Sequence, residues 1–110
     1  YTPARSIIDN GLPLALATDF NPGSAPSGNM NLVNSLACIR MGMTPHEVIH
    51  ASTLNGAYAM GLEREYGSIE RGKQAALILT RELESPAEMM YSFGQSPIER
   101  VILPHETNNP

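Results

Sequence analysis

Asp19 is the first residue whose type and setting suggest chemistry. It stands two residues after the apolar run Leu14-Ala15-Leu16-Ala17 and opens a glycine- and proline-rich stretch, Thr18 to Asn29 (TDFNPGSAPSGN). An apolar run without alternation is the pattern of a strand covered on both faces in a parallel sheet. The carboxyl ends of such strands are where α/β folds bind ligands and carry catalytic groups. A carboxylate there is a candidate site residue. The plainer alternative makes Asp19 a turn residue that bonds the backbone N–H of Asn21 or beyond, because aspartate is a common turn former. Arg5 and Arg40 are the nearest cations in the sequence.

His46-Glu47-Val48-Ile49-His50 is the second candidate, since it matches H-E-x-x-H. Two histidines one helical turn apart can chelate zinc, with the glutamate as general base. Three features count against that reading. Thr44-Pro45-His46-Glu47 reads as a capping box with proline at the first helical position, which already uses Glu47. His46 then falls in the first turn, and Val48 with Ile49 sets the apolar face away from His50. Both histidines are expected to point toward solvent, and His105, near the chain end, is a poor third ligand. Arg71-Gly72-Lys73 reads as a turn, Cys38 as a small apolar group on a mostly buried helix, and the six methionines as core filling.

The elements that must position these residues follow from local signals. Thr2-Pro3 reads as N-cap and first helical position, Ile7 and Ile8 give an apolar stripe, and Gly11 stops a helix over 3–10. A buried strand follows at 14–17. Residues 18–29 exclude regular structure and are long enough to read as a functional loop. Met30 to Met41 is helical and expected to be largely buried. The capping box opens a helix to about Ser52, and Asn55 to Met60 forms another, stopped by Gly61. Beyond Gly67 come turns and short strands at Ala75–Thr80 and Arg100–Leu103, with a helical turn at Ser85–Met90 and a frayed tail at Glu106–Pro110. Two short strands do not make a stable sheet alone, so these are expected to add to strands supplied elsewhere.

Composition bounds the function classes. The chain has 110 residues, 42% of them hydrophobic, and a net charge of -4 from 7 basic and 11 acidic side chains. That is one domain or a piece of a larger one. The slight acidity gives no electrostatic reason to expect nucleic acid or an anionic membrane, and no apolar run approaches the roughly 20 residues of a membrane span. A single cysteine, Cys38, excludes an internal disulfide and a cysteine-rich zinc site and is compatible with a reducing cytoplasm. Charge is uneven: between Gly11 and Met43 the only charged residues are Asp19 and Arg40. So little charge implies an interior with covering material supplied from elsewhere. The first residue, Tyr1, fits a fragment or a processed product.

Ala17-Thr18-Asp19-Phe20-Asn21-Pro22-Gly23-Ser24, then Met43-Thr44-Pro45, Asn55-Gly56-Ala57-Tyr58-Ala59, and Gly67-Ser68-Ile69-Glu70-Arg71-Gly72-Lys73-Gln74-Ala75 together resemble the C-terminal part of the imidazolonepropionase family, within the amidohydrolase superfamily. The T-D-x-N-P-G-S loop is the specific part; G-S-x-x-x-G-K-x-A is shared across the superfamily. The resemblance spans Tyr1 to about Ile102. It implies an α/β fold comprising the C-terminal portion of a (β/α)8 barrel, over residues 1–66, and part of a small composite β domain, over 67–110. A whole barrel takes about 250 residues, so the barrel here is incomplete.

The same resemblance implies hydrolysis of the ring amide of 4-imidazolone-5-propanoate to N-formimidoyl-L-glutamate, in histidine degradation. Asp19 would ligate one zinc or iron ion and accept a proton from the attacking water; Asn21, Gly23 and Ser24 would contact substrate or product. The other metal ligands, histidines on earlier strands, would lie upstream, so the fragment alone is expected to be inactive. The expected partners are the small-molecule substrate and the missing N-terminal part of the enzyme, with homo-oligomerisation left open. Ala76 stands where the superfamily usually has aspartate. The rival readings are another superfamily enzyme, such as a deaminase or cyclic amidase, a non-catalytic binding module that kept this fold segment, and a zinc protease built on His46 and His50.

Overall fold

A computed structural model describes residues 1–91 and 95–106. The element order is α1 (Ala4–Asp9), α2 (Met30–Met41), α3 (Pro45–Ser52), α4 (Leu54–Ala59), β1 (Leu77–Thr80), α5 (Ala87–Tyr91) and β2 (Ile98–Ile102), closed by a 3-10 turn at Pro104–Glu106. The fold is mixed α/β. Of the tail expected to fray, residues 107–110 lie outside the described residues.

Helix ends follow the local chemistry. Asn29 caps α2, its side chain accepting from the N–H groups of Asn31 and Leu32, and Gly42 ends that helix at φ 68°. The expected capping box of α3 is present with both reciprocal bonds and Pro45 in the first turn. At α1 the expectation differs from the structure: Pro3, not Thr2, is the N-cap, and no side chain caps that end. Thr2 contributes its carbonyl instead, which accepts the Ala4 N–H at 2.8 Å.

Residues 14–17 form no strand. The Leu16 N–H donates to the Ala51 carbonyl at 3.1 Å, and the Leu14 carbonyl accepts from Asn55 Nδ2 at 2.9 Å. A parallel strand exists only through its ladder to neighbours, and no such neighbour is among the described residues. Helix α3 and Asn55 satisfy part of that backbone instead. Strands β1 and β2 pair with each other, antiparallel, from Leu77↔Ile102 to Thr80↔Ile98, with an irregularity between Leu79 and Thr80.

The core is thin. Ala4, Ala37, Met43, Val48, Ala51 and Met90 are buried together, where α2 meets α3 and α5. Alanine removes little apolar area from water, so the two methionines and one valine dominate this burial. Two methionines thus fill the core as expected, whereas Met60 is 70% exposed. The expectation of a largely buried α2 holds only for Ser35 and Ala37; Leu32 and Ile39 are exposed.

One clamp ties α1 to α3 across 42 positions. Arg5 donates in parallel to both carboxylate oxygens of Glu47, each at 2.8 Å, to the Gly42 carbonyl at 3.1 Å and to Asp9. Glu47 Oε1 also accepts the Thr44 N–H at 2.9 Å. The Arg5 guanidinium, then the Thr44 backbone N–H, hold the Glu47 carboxyl down at about 2. A carboxylate depressed in the folded state contributes stability that is complete above its ordinary value of 4.5 and is lost as pH falls toward about 2. Glu47→Gln is therefore expected to lower the thermal midpoint at about pH 7, with the two proteins converging near about pH 2. Parallel melting curves at every pH would contradict this.

Gly67 joins the helical part to the strands. It sits at φ 98°, and a Cβ there would lie 2.8 Å from Ala57 Cβ, 3.0 Å from Leu54 Cα and 3.1 Å from the Thr53 carbonyl oxygen. Backbone neighbours cannot step aside. Overpacking of this kind typically costs about 1–3 kcal/mol and a left-handed backbone adds about 1–2 kcal/mol for a residue with Cβ. Gly67→Ala should therefore shift the denaturant midpoint far more than Gly72→Ala, where nothing lies within 4 Å. Equal shifts would show that packing against α4 is unimportant.

Candidate functional site

Asp19 is an exposed residue in the segment that leads from residues 14–17 into α2. Its φ is 51°, the only positive value at a non-glycine residue among those described. Aspartate tolerates this left-handed region better than most residues. The turn alternative places the side chain on backbone N–H groups ahead, but no bond of that kind is made among the described residues. Asn21 does that work: its Oδ1 accepts from the Gly23 N–H at 2.9 Å and the Ser24 N–H at 2.8 Å. Its Nδ2 reaches back to the Asp19 carbonyl at 2.7 Å, and its backbone N–H donates to the Ala25 carbonyl at 2.9 Å. The loop is thereby closed on itself, and Asp19 is held by its backbone while its carboxylate has no hydrogen bond or ion pair among the described residues.

The cations nearest in sequence are engaged elsewhere. Arg5 is in the Glu47 clamp, and the Arg40 guanidinium lies over the Tyr1 ring, 5.4 Å from its centre. Beside the loop a cleft of about 720 Å3 runs along Ala15, Ala17 and Thr18 to Ser52, Gly67 and Gln74. None of its walls carries a carboxylate, imidazole or amine. Asp19, the residue after the lining residue Thr18, is the carboxylate nearest to it in the sequence. Asn21, Gly23 and Ser24 stand together within its loop.

His46 and His50 are both exposed, as expected, and share a shallow groove of about 340 Å3 with Ile8, Leu12 and Met43. Glu47, the general base that a zinc protease would need, has both oxygens on Arg5 and one on Thr44. His105 is exposed in the 3-10 turn. Among the described residues no group of three histidine, cysteine, aspartate or glutamate side chains could hold a metal ion. Burial, followed by the charge of Glu47, pushes the Cys38 thiol up, which makes it a poor nucleophile.

The Gly67–Ala75 motif is a closed turn. Lys73 Nζ donates to Ser68 Oγ at 2.7 Å, Ser68 Oγ donates to Glu70 Oε2 at 2.7 Å, and Lys73 pairs with Glu70 at 3.1 Å. The lysine is spent on holding the turn, which agrees with reading Arg71-Gly72-Lys73 as structural. Neither this triad nor the Arg5–Glu47 clamp was legible locally; the clamp joins residues too far apart for any spacing rule.

Residues 1–103 match the amidohydrolase family, and the chain belongs to that family. Its curated relatives include imidazolonepropionases. The proteins of that name from Flavobacterium johnsoniae and Christiangramia forsetii are each 60% identical to this chain over 103 residues, covering 94% of it and 25% of the relative. One from Geobacillus kaustophilus is 48% identical over 99 residues, covering 90% of this chain and 23% of the relative. The chain thus spans about a quarter of the length of the curated relatives it matches.

Proposed function

We propose that this chain is the C-terminal segment of a metal-dependent hydrolase that opens the ring of 4-imidazolone-5-propanoate to N-formimidoyl-L-glutamate. The observation that carries this reading is the 60% identity to named imidazolonepropionases across 94% of the chain. Residues 1–66 then hold the last strand and flanking helices of a (β/α)8 barrel, and 67–110 belong to a small β domain. In that setting residues 14–17 gain the neighbours they need for a ladder. A cytoplasmic location goes with this reading of a small-molecule hydrolase. Among the described residues no helix is long and apolar enough to cross a membrane.

Asp19 fits one position of a metal site: an exposed carboxylate, uncommitted to other described residues, supplies hard oxygen donors suited to zinc or iron. The remaining ligands come from parts of the enzyme outside this chain. A bound divalent ion supplies Lewis-acid polarisation of the ring carbonyl. Asp19 takes a proton from the water whose oxygen bonds to that carbonyl carbon. As the ring C–N bond breaks, Asp19 returns the proton to the leaving nitrogen. Asn21 offers the ligand an amide, Gly23 a close backbone approach and Ser24 a hydroxyl, on a loop that Asn21 itself closes.

The test is a substrate panel on the full-length protein. Turnover of 4-imidazolone-5-propanoate far above that of other cyclic amides and of amino-substituted heterocycles is expected. Preferential deamination would move the assignment elsewhere in the amidohydrolase family, and no turnover with any of them would favour a binding module.

A further inference from the structure

The side chain of Asn21 is already fully committed. A primary amide offers two lone pairs on oxygen and two N–H donors. Here Oδ1 accepts from the Gly23 and Ser24 N–H groups at 2.9 and 2.8 Å, while Nδ2 donates to the Asp19 carbonyl at 2.7 Å and to Ser24 Oγ at 3.3 Å. A direct bond to a ligand would have to displace one of these. The shortest of them falls on the carbonyl of the one non-glycine residue with positive φ, Asp19 at 51°. Fixing that carbonyl sets the peptide plane after Asp19, and with it the direction in which the Asp19 carboxylate leaves the chain.

We propose that Asn21 is a positioning residue: it acts through Asp19, orienting the carboxylate that moves the proton, and does not bind the substrate itself. This rests on the hydrolase reading above and sharpens it, leaving ligand contact in the loop to Gly23 and Ser24. A group displaced by about an ångström from its productive geometry can cost about a hundredfold in rate.

Two variants of the full-length enzyme test this. In Asn21→Ala, kcat should fall by about tenfold to a hundredfold while KM stays within about twofold. The affinity for N-formimidoyl-L-glutamate, measured by calorimetry, should also stay within about twofold. In Asn21→Asp the acceptor for Gly23 and Ser24 is retained and the donor to Asp19 is lost, so kcat should fall comparably even if the alanine variant folds badly. A raised KM and weakened product binding with kcat intact would make Asn21 a direct ligand contact and overturn the proposal. So would wild-type kcat in Asn21→Asp. Failure of the unsubstituted enzyme to open the imidazolone ring would instead remove the functional reading, so the two failures are distinct.

Discussion

Asp19→Asn in the full-length enzyme is expected to lower kcat by about a hundredfold to ten-thousandfold, the usual range for a positioned proton-transfer group. The variant should keep its fold. The Asp19 carboxylate makes no bond among the described residues, so asparagine breaks none of the contacts that close the loop, and asparagine shares aspartate's tolerance for a φ of 51°. The amide keeps the shape but cannot take a proton. His46→Ala combined with His50→Ala provides the contrast: both imidazoles are exposed and Glu47 is bound to Arg5 and Thr44, so steady-state kinetics should be unchanged. Activity or metal lost in the histidine double variant, with Asp19→Asn active, would reverse the ranking of the two sites.

Residues 1–110 expressed alone are expected to give no enzymatic turnover of 4-imidazolone-5-propanoate and to hold no stoichiometric divalent metal. Enzymes accelerate such reactions by at least about a millionfold, and the proposed metal-assisted route needs an ion held by about three or four protein ligands. The described residues bring no three candidate donors together. The apolar surface tells the same story, with Phe20 67% and Leu12 59% exposed beside a segment of backbone that lacks strand partners. Metal analysis and a rate assay on the purified chain check this. Turnover at an enzyme-like rate would mean that the chain holds a complete site.

What the sequence disclosed divides by the range of the signal. The capping box at Thr44 and the glycines just past the ends of α1 and α4, Gly11 and Gly61, are local, and the structure has them where they were expected. The strand at 14–17 did not form, because an apolar run specifies burial and a ladder needs partners that local sequence cannot supply. Asp19 was legible as a candidate from its place after that run. Its geometry was not, since the turn beside it is closed by the Asn21 amide, and local sequence does not say which backbone groups that amide bonds. The Arg5–Glu47 clamp was invisible for a different reason: its halves lie on separate helices, and only the packing of α1 against the rest brings them to 2.8 Å.

The account is tested most directly by identifying the product that the full-length enzyme forms from 4-imidazolone-5-propanoate, side by side with its Asp19→Asn variant. N-formimidoyl-L-glutamate from the unsubstituted enzyme, and almost none from the variant at equal metal content, is the predicted result. Unaltered substrate in both, or the same product at the same rate in both, would contradict it.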